Sequence, residues 1–273
     1  MKIGLFRPKH NSGCGRIFKI LDCVEEALKP FEHFVLPDTQ WKDCDVSINW
    51  GVYSKKHHGH TVGRKRILAK SPARIVIEQG YVKRENHFSF GWNGHCGRGH
   101  YCNEGSPPDR WNELGVKLLP WRQGDKILLC GQIYWDTAVQ QIDYKAWVLK
   151  TIAEIKKHTD RTIVFRPHPL KPKAIPMPKG VEVSKGRSLE QDLAKAFATV
   201  SFNSTTGVDS VIAGVPSFAI DPGSMAWPVT KHNLKDIENP LMPDRAQWAY
   251  NLAYCQWTYA EIQQGRWWSQ LNE

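Results

Sequence analysis

The sequence predicts an α/β protein built as two Rossmann-like domains facing a cleft, each a mainly parallel sheet with helical connections. Three observations carry this reading. Short β-branched and aromatic runs alternate with stretches of helical apolar periodicity along the 273 residues. The strand-helix pattern occurs in two successive halves, parted by the turn-rich segment Leu119-Pro120-Trp121-Arg122-Gln123-Gly124-Asp125. In the second half, two apolar runs end in polar clusters, as strands of a parallel sheet do at the carboxyl edge where ligands bind.

In the first half, residues 2–6 read as a strand, and Ser12-Gly13-Cys14-Gly15 as a tight connection without the three-glycine dinucleotide fingerprint. A helix over 16–28 follows, with Ile17, Ile20, Leu21, Val24 and Leu28 on one face. Strands are expected at 33–36, 45–50, 73–77 and 88–92, and a helix at 63–70. The strand at 73–77 delivers Glu78-Gln79-Gly80-Tyr81 at its end. Residues 93–110, rich in Gly, Pro, His and Asn, read as a long surface loop.

The second half opens with a strand at 126–130, then Gly131-Gln132 and a helix over 139–157 carrying Ile142, Ala146, Leu149, Ile152 and Ala153. The run Thr162-Ile163-Val164-Phe165 is a buried strand followed at once by Arg166-Pro167-His168-Pro169. A strand at 180–183 and a helix over 188–197 come next, the latter opened by a capping box of Ser188 and Gln191. The run at 198–202 enters Asn203-Ser204-Thr205-Thr206-Gly207 and a helical pattern of Val208, Val211 and Ile212, and a strand at 215–220 closes the unit. The expected domains are therefore 1–120, 121–244 and a helical tail, 245–273.

Composition narrows the class of protein. No apolar run approaches the roughly 20 residues of a membrane span and the amino terminus does not read as a signal peptide, so a cytoplasmic protein without membrane contact is expected. Seven cysteines, an odd number without a tight framework, fit reduced thiols. A net charge of +10 suggests an anionic partner: nucleic acid, a nucleotide phosphate or an acidic glycan. A generally basic solvated surface would give the same total. The twelve tryptophans offer rings for stacking as well as core.

Asn203, Ser204, Thr205 and Thr206 stand where a strand feeds a helix, so backbone N–H groups and hydroxyls converge there in the manner of a phosphate site. The same residues serve equally as a helix cap. At the neighbouring strand end, prolines on both sides of His168 fix the backbone and present an imidazole beside the Arg166 guanidinium, a second group suited to a diphosphate. His57, His58 and His60, and the group His95, Cys96, His100 and Cys102, lack the short Cys-x-x-Cys spacing of a zinc knuckle, so no metal is expected.

A strand ending Arg166-Pro167-His168-Pro169, with a later strand ending Ser204-Thr205-Thr206 before a helix and Ala213-Gly214-Val215-Pro216, resembles the nucleotide-sugar domain of GT-B glycosyltransferases. The similarity is greatest to capsule-polysaccharide and Kdo-type transferases and the related CDP-glycerol transferases. Asp109-Arg110-Trp111, Leu119-Pro120-Trp121-Arg122, Cys130-Gly131-Gln132 and Trp135-Asp136 also resemble compact glycosyltransferase-like proteins of bacteriophages.

The resemblance implies a metal-independent transferase that uses a nucleotide-sugar as co-substrate. Arg166, His168, Asn203, Ser204, Thr205 and Thr206 would then contact the donor, with Asp209 toward its sugar or ribose, where the family pattern has Glu. Glu78-Gln79-Gly80-Tyr81 resembles an acceptor-side element of capsule transferases; Glu78 is the expected base, with Asp109 in reserve and His168 assisting the leaving group. The phage likeness implies a hydroxymethylated base in DNA as acceptor, held by Lys55, Lys56, Arg64, Lys65, Arg66, Lys83, Arg84 and Arg98. A glycan acceptor, and a non-catalytic nucleic-acid-binding protein on a degenerate fold, are the alternatives.

Overall fold

A computed structural model describes residues 1–8, 15–52, 67, 69–170 and 175–272. The chain forms two compact units: Met1–Gly115 together with Ala249–Glu273, and Val116–Trp248.

The first unit is built on a six-stranded sheet. Strands β1 (Ile3–Arg7), β2 (His33–Pro37), β3 (Val46–Trp50) and β4 (Ala73–Gln79) run parallel, in the order β4-β3-β1-β2. Strand β5 (His87–Trp92) turns back antiparallel to β4, and β11 (Gln256–Thr258) pairs antiparallel with β5 at the far edge. The segment expected as a purely helical tail therefore contributes a strand to the first unit. The reason is hydrophobic: Trp257, Ile262, Trp267, Trp268 and Leu271 join Ile3, Leu5, Val46, Ile48, Ile75, Ile77, Phe88 and Phe90 in one core. Trp267, fully buried, stacks on Phe90 with ring centroids 4.6 Å apart. Helix α1 (Gly15–Leu28) covers the same face through Ile20, Leu21, Val24 and Leu28.

The second unit is a five-stranded parallel sheet in the order β10-β9-β6-β7-β8. Its strands are β6 (Lys126–Cys130), β7 (Ile163–Arg166), β8 (Val181–Val183), β9 (Ala196–Ser201) and β10 (Ser217–Ala219). Both faces are covered, which explains the continuous apolar runs. Ile127, Leu129, Ile163, Phe165, Ala198, Val200 and Phe218 pack on one side, and Leu128, Cys130, Val164, Leu193 and Val215 on the other.

Local chemistry moved several boundaries. Asp143 caps the helix Tyr144–Ile155 by accepting from the Ala146 N–H, so the expected 139–157 helix starts later, after a separate 3-10 turn, Thr137–Val139. The Ser188 capping box forms as expected, but its helix ends at Leu193 because the chain enters β9 at Ala196. The expected loop over 93–110 contains the 3-10 turn Cys96–Arg98 and the start of a helix, Asp109–Leu114, which ends at Gly115 in the left-handed region (φ 62°). Most of the 12–15 connection and of the expected helix at 63–70 lies outside the described residues. Among the described residues no helix is long and apolar enough to cross a membrane.

Candidate active site

The second unit gathers its polar strand ends at the carboxyl edge of the sheet, in the order β10, β9, β6, β7. Parallel strands lie about 4.8 Å apart, so the ends of β9 and β7, with β6 between them, are about 10 Å apart. Side chains reaching inward from both ends can span a diphosphate.

After β9 the chain turns through Ser204 and Thr205 into the short helix Thr206–Ile212. The Ser204 Oγ accepts from the Thr206 N–H (3.2 Å) and lies 3.0 Å from the Thr206 Oγ1, so two hydroxyls are held together on a half-buried turn. Thr205 has helical backbone angles and makes no side-chain cap bond. Asp209 sits one turn on, half-buried on the same helix.

After β7 the half-buried His168 accepts from the Leu170 N–H through Nδ1 (3.1 Å). A ring nitrogen that accepts carries no proton, so the neutral imidazole keeps its proton on Nε2. The turn thus fixes the tautomer that can donate.

Asn203 and the Nη1 of Arg166, two residues expected at the donor, hydrogen-bond within the protein. The Arg166 Nη1 lies 2.5 Å from the Asp192 carboxylate and donates to the Arg187 carbonyl at 2.9 Å. Arg187 pairs with the same carboxylate at 2.6 Å, and the Ser184 hydroxyl donates to it at 2.5 Å. Arg166 leaves β7 on the side of Val164 and so reaches the loop after β8. Asn203, buried, exchanges hydrogen bonds with Gln132 (Asn203 N–H to Oε1, 3.1 Å; Gln132 Nε2 to Oδ1, 2.8 Å). Its Nδ2 donates to Ala138 O and Asp221 Oδ1, both at 3.0 Å. It therefore ties together the loops after β6, β9 and β10. The pairing of Gln132, Asp192 and Asp221 with these residues had no sequence signal, because the partners lie 18 to 71 residues apart. Burial pushes the Cys130 thiol, at the end of β6, up to about 12, so it is not a nucleophile at neutral pH.

In the first unit Glu78 lies near the carboxyl end of β4, half-buried, opposite Ser89 of β5. Its carboxylate accepts from the Gln79 N–H at 3.0 Å and stands by Gly51, where an added Cβ would lie 3.8 Å from Oε2. Asp109 is exposed and accepts from the Tyr254 hydroxyl at 2.9 Å; that bond holds its carboxyl below the usual range. Lys83, in the left-handed region (φ 48°), and Arg84 are exposed on the turn between β4 and β5. Arg98 is exposed on the 3-10 turn Cys96–Arg98. Tyr81, whose hydroxyl meets that of Tyr101 at 2.8 Å and accepts from the Cys96 N–H at 3.1 Å, links the two loops. Lys55, Lys56, Arg64, Lys65 and Arg66, like His57, His58 and His60, lie outside the described residues. Among the described residues no group of three or more His, Cys, Asp or Glu stands close enough to hold a metal ion.

No protein-family model matches the sequence, and no curated protein matches it. Solved structures do. The beta Kdo 2,4 transferase of Thermosulfurimonas dismutans KpsC superposes with a TM-score of 0.59 at 13% identity, over 94% of this chain and 91% of that one. The beta Kdo 2,7 transferase of the same KpsC gives 0.56 at 15% identity, over 100% of both chains. At such identity the likeness speaks for the fold alone, and the fold is of the GT-B type.

Proposed function

We propose that this protein is a glycosyltransferase that moves a sugar from a nucleotide-sugar, held at the carboxyl edge of the second sheet, to an acceptor hydroxyl. The observation that carries the proposal is the convergence on that edge of the 204–206 hydroxyls and of His168 with its proton on Nε2. As the acceptor oxygen bonds to the anomeric carbon, the bond from that carbon to the phosphate oxygen breaks and its electron pair stays with the nucleotide. Hydroxyl and imidazole donors aimed at that oxygen stabilise the charge as it develops.

The acceptor proton needs a base, which we assign to Glu78. Asp109 is the weaker choice, since the bond from Tyr254 stabilises its ionised form and lowers its basicity. Arg166 and Asn203 act on the donor indirectly, by holding the loops that carry His168 and Ser204.

For the acceptor we propose a hydroxymethylated base in DNA, supported by the net charge of +10 and by the exposed Lys83, Arg84 and Arg98. The test is transfer of radiolabelled sugar from a panel of nucleotide-sugars to hydroxymethylated DNA, unmodified DNA and capsular oligosaccharide. Label on hydroxymethylated DNA alone supports the whole proposal; label on the oligosaccharide keeps the transferase and moves the acceptor to a glycan. Salt-sensitive DNA binding with no transfer from any donor would leave a non-catalytic DNA-binding protein.

A further inference from the structure

Trp227 and His232 stack face to face, with ring centroids 3.3 Å apart and planes 5° from parallel. Both residues are held by hydrogen bonds to main-chain carbonyls. The Trp227 N–H donates to the Ser224 carbonyl at 3.1 Å, and Pro228 follows it in the 3-10 turn Trp227–Val229. The His232 Nδ1–H donates at 3.1 Å to the carbonyl of Ala219, the last residue of β10. Lys231 bridges Phe218 in the parallel sense, so the chain passes β10 once more and places His232 at the carboxyl edge of the sheet. Trp227 is half-buried, His232 is exposed, and neither belongs to the apolar cores described above.

The stack adjoins the proposed phosphate turn. Ala226, next to Trp227, packs on Gly207 at the start of the helix that the turn opens; a Cβ at Gly207 would lie 3.4 Å from the Ala226 Cβ. Trp248 Nε1 donates to Met225 O at 2.9 Å and pins the same segment from behind. β10 neighbours β9, so the stack lies on the side of the turn away from β6 and His168. A rigid stack of two parallel rings beside a cluster of phosphate donors matches a ligand with a planar aromatic part a few ångströms from its charge. Fixing the rings before the ligand arrives lowers the ordering cost of binding.

We propose that the Trp227/His232 stack is the platform for the nucleobase of the donor, whose phosphates lie on the 204–206 turn. This rests on reading that turn as a phosphate site. A platform that binds by stacking recognises any base by its π-face, so the donor's base is chosen only weakly here and the phosphates fix its register.

The experiment is calorimetric titration of wild type, Trp227→Ala, Trp227→Phe and His232→Ala with CMP, CDP, UDP, ADP and GDP. Inorganic pyrophosphate serves as a ligand with the charge and no base. Trp227→Ala is expected to weaken the tightest nucleotide roughly tenfold, with Trp227→Phe within about threefold of wild type and pyrophosphate unaffected. Equal nucleotide affinity in wild type and Trp227→Ala would overturn the platform while leaving the donor site standing. Equal losses for nucleotide and pyrophosphate would also overturn it, since the phosphate turn alone would then account for the effect. No nucleotide binding by wild type would sink the donor site itself.

Discussion

The Arg166 guanidinium and the Asp192 carboxylate lie 2.5 Å apart, and the Asp192 side chain is only 2% exposed. Twenty-six residues separate them in sequence, and their pairing fastens the end of β7 to the helix Leu189–Leu193. Removing Asp192 strands two guanidinium groups, whereas removing Arg166 leaves Arg187 on the carboxylate. Asp192→Ala should therefore destabilise by about 3 kcal/mol or more, and Arg166→Ala by less. Urea denaturation of the two variants checks the order; equal losses would contradict it.

Asn203 is the knot among three loops, and its replacement should act first on stability. Asn203→Ala removes the side-chain bonds to Ala138 O, Asp221 Oδ1 and Gln132 Nε2 and keeps only the backbone N–H bond to Gln132 Oε1, an expected loss of about 2 to 4 kcal/mol. Asn203→Asp should fare no better, because it sets a second carboxylate against that of Asp221. Thermal denaturation of both variants tests this, and a wild-type melting temperature in either would show that the network is dispensable.

His168→Ala should lower turnover by about 10²-fold or more with a smaller effect on stability, since the ring is only half-buried and its Nδ1 bonds a local N–H. Ser204→Ala and Thr206→Val should each weaken nucleotide binding several-fold. Steady-state kinetics and calorimetry separate the two effects. A His168→Ala enzyme with unchanged turnover would remove His168 from the chemistry.

Glu261 gives a pH prediction. Burial acts to raise its pKa, but the hydrogen bond from Arg110 and the bonds from Thr258 outweigh this and leave it below the usual range. A depressed carboxyl in the folded state contributes stability that is fully present above the unfolded value, near 4.5, and is lost as pH falls through the folded value. The stability difference between wild type and Glu261→Gln should thus be constant near neutrality and shrink below about pH 4.5. A difference that persists unchanged to low pH would contradict the assignment. Gln can keep the capping box with Thr258, which isolates the charge.

By itself the sequence determined which segments are strands in both units, the edge strand Gln256–Thr258 apart, and which of them end in polar clusters. Local forces write those features: β-branched runs buried on both faces, proline on either side of His168, and capping signals such as Ser188 with Gln191. Its resemblance to GT-B glycosyltransferases at those clusters also implied the fold. Only the tertiary structure decided which partners each polar residue meets. Arg166 and Asn203 looked like ligand groups because nothing nearby in sequence claims them, yet residues 26 and 71 positions away do. The chain end looked like a helical tail because its Trp257, Trp267 and Trp268 have no apolar partner nearby in sequence; against Phe88 and Phe90 the segment becomes an edge strand and two short helices. Hydrogen bonds and apolar burial between distant segments are chosen by the fold as a whole, so no window of sequence contains them.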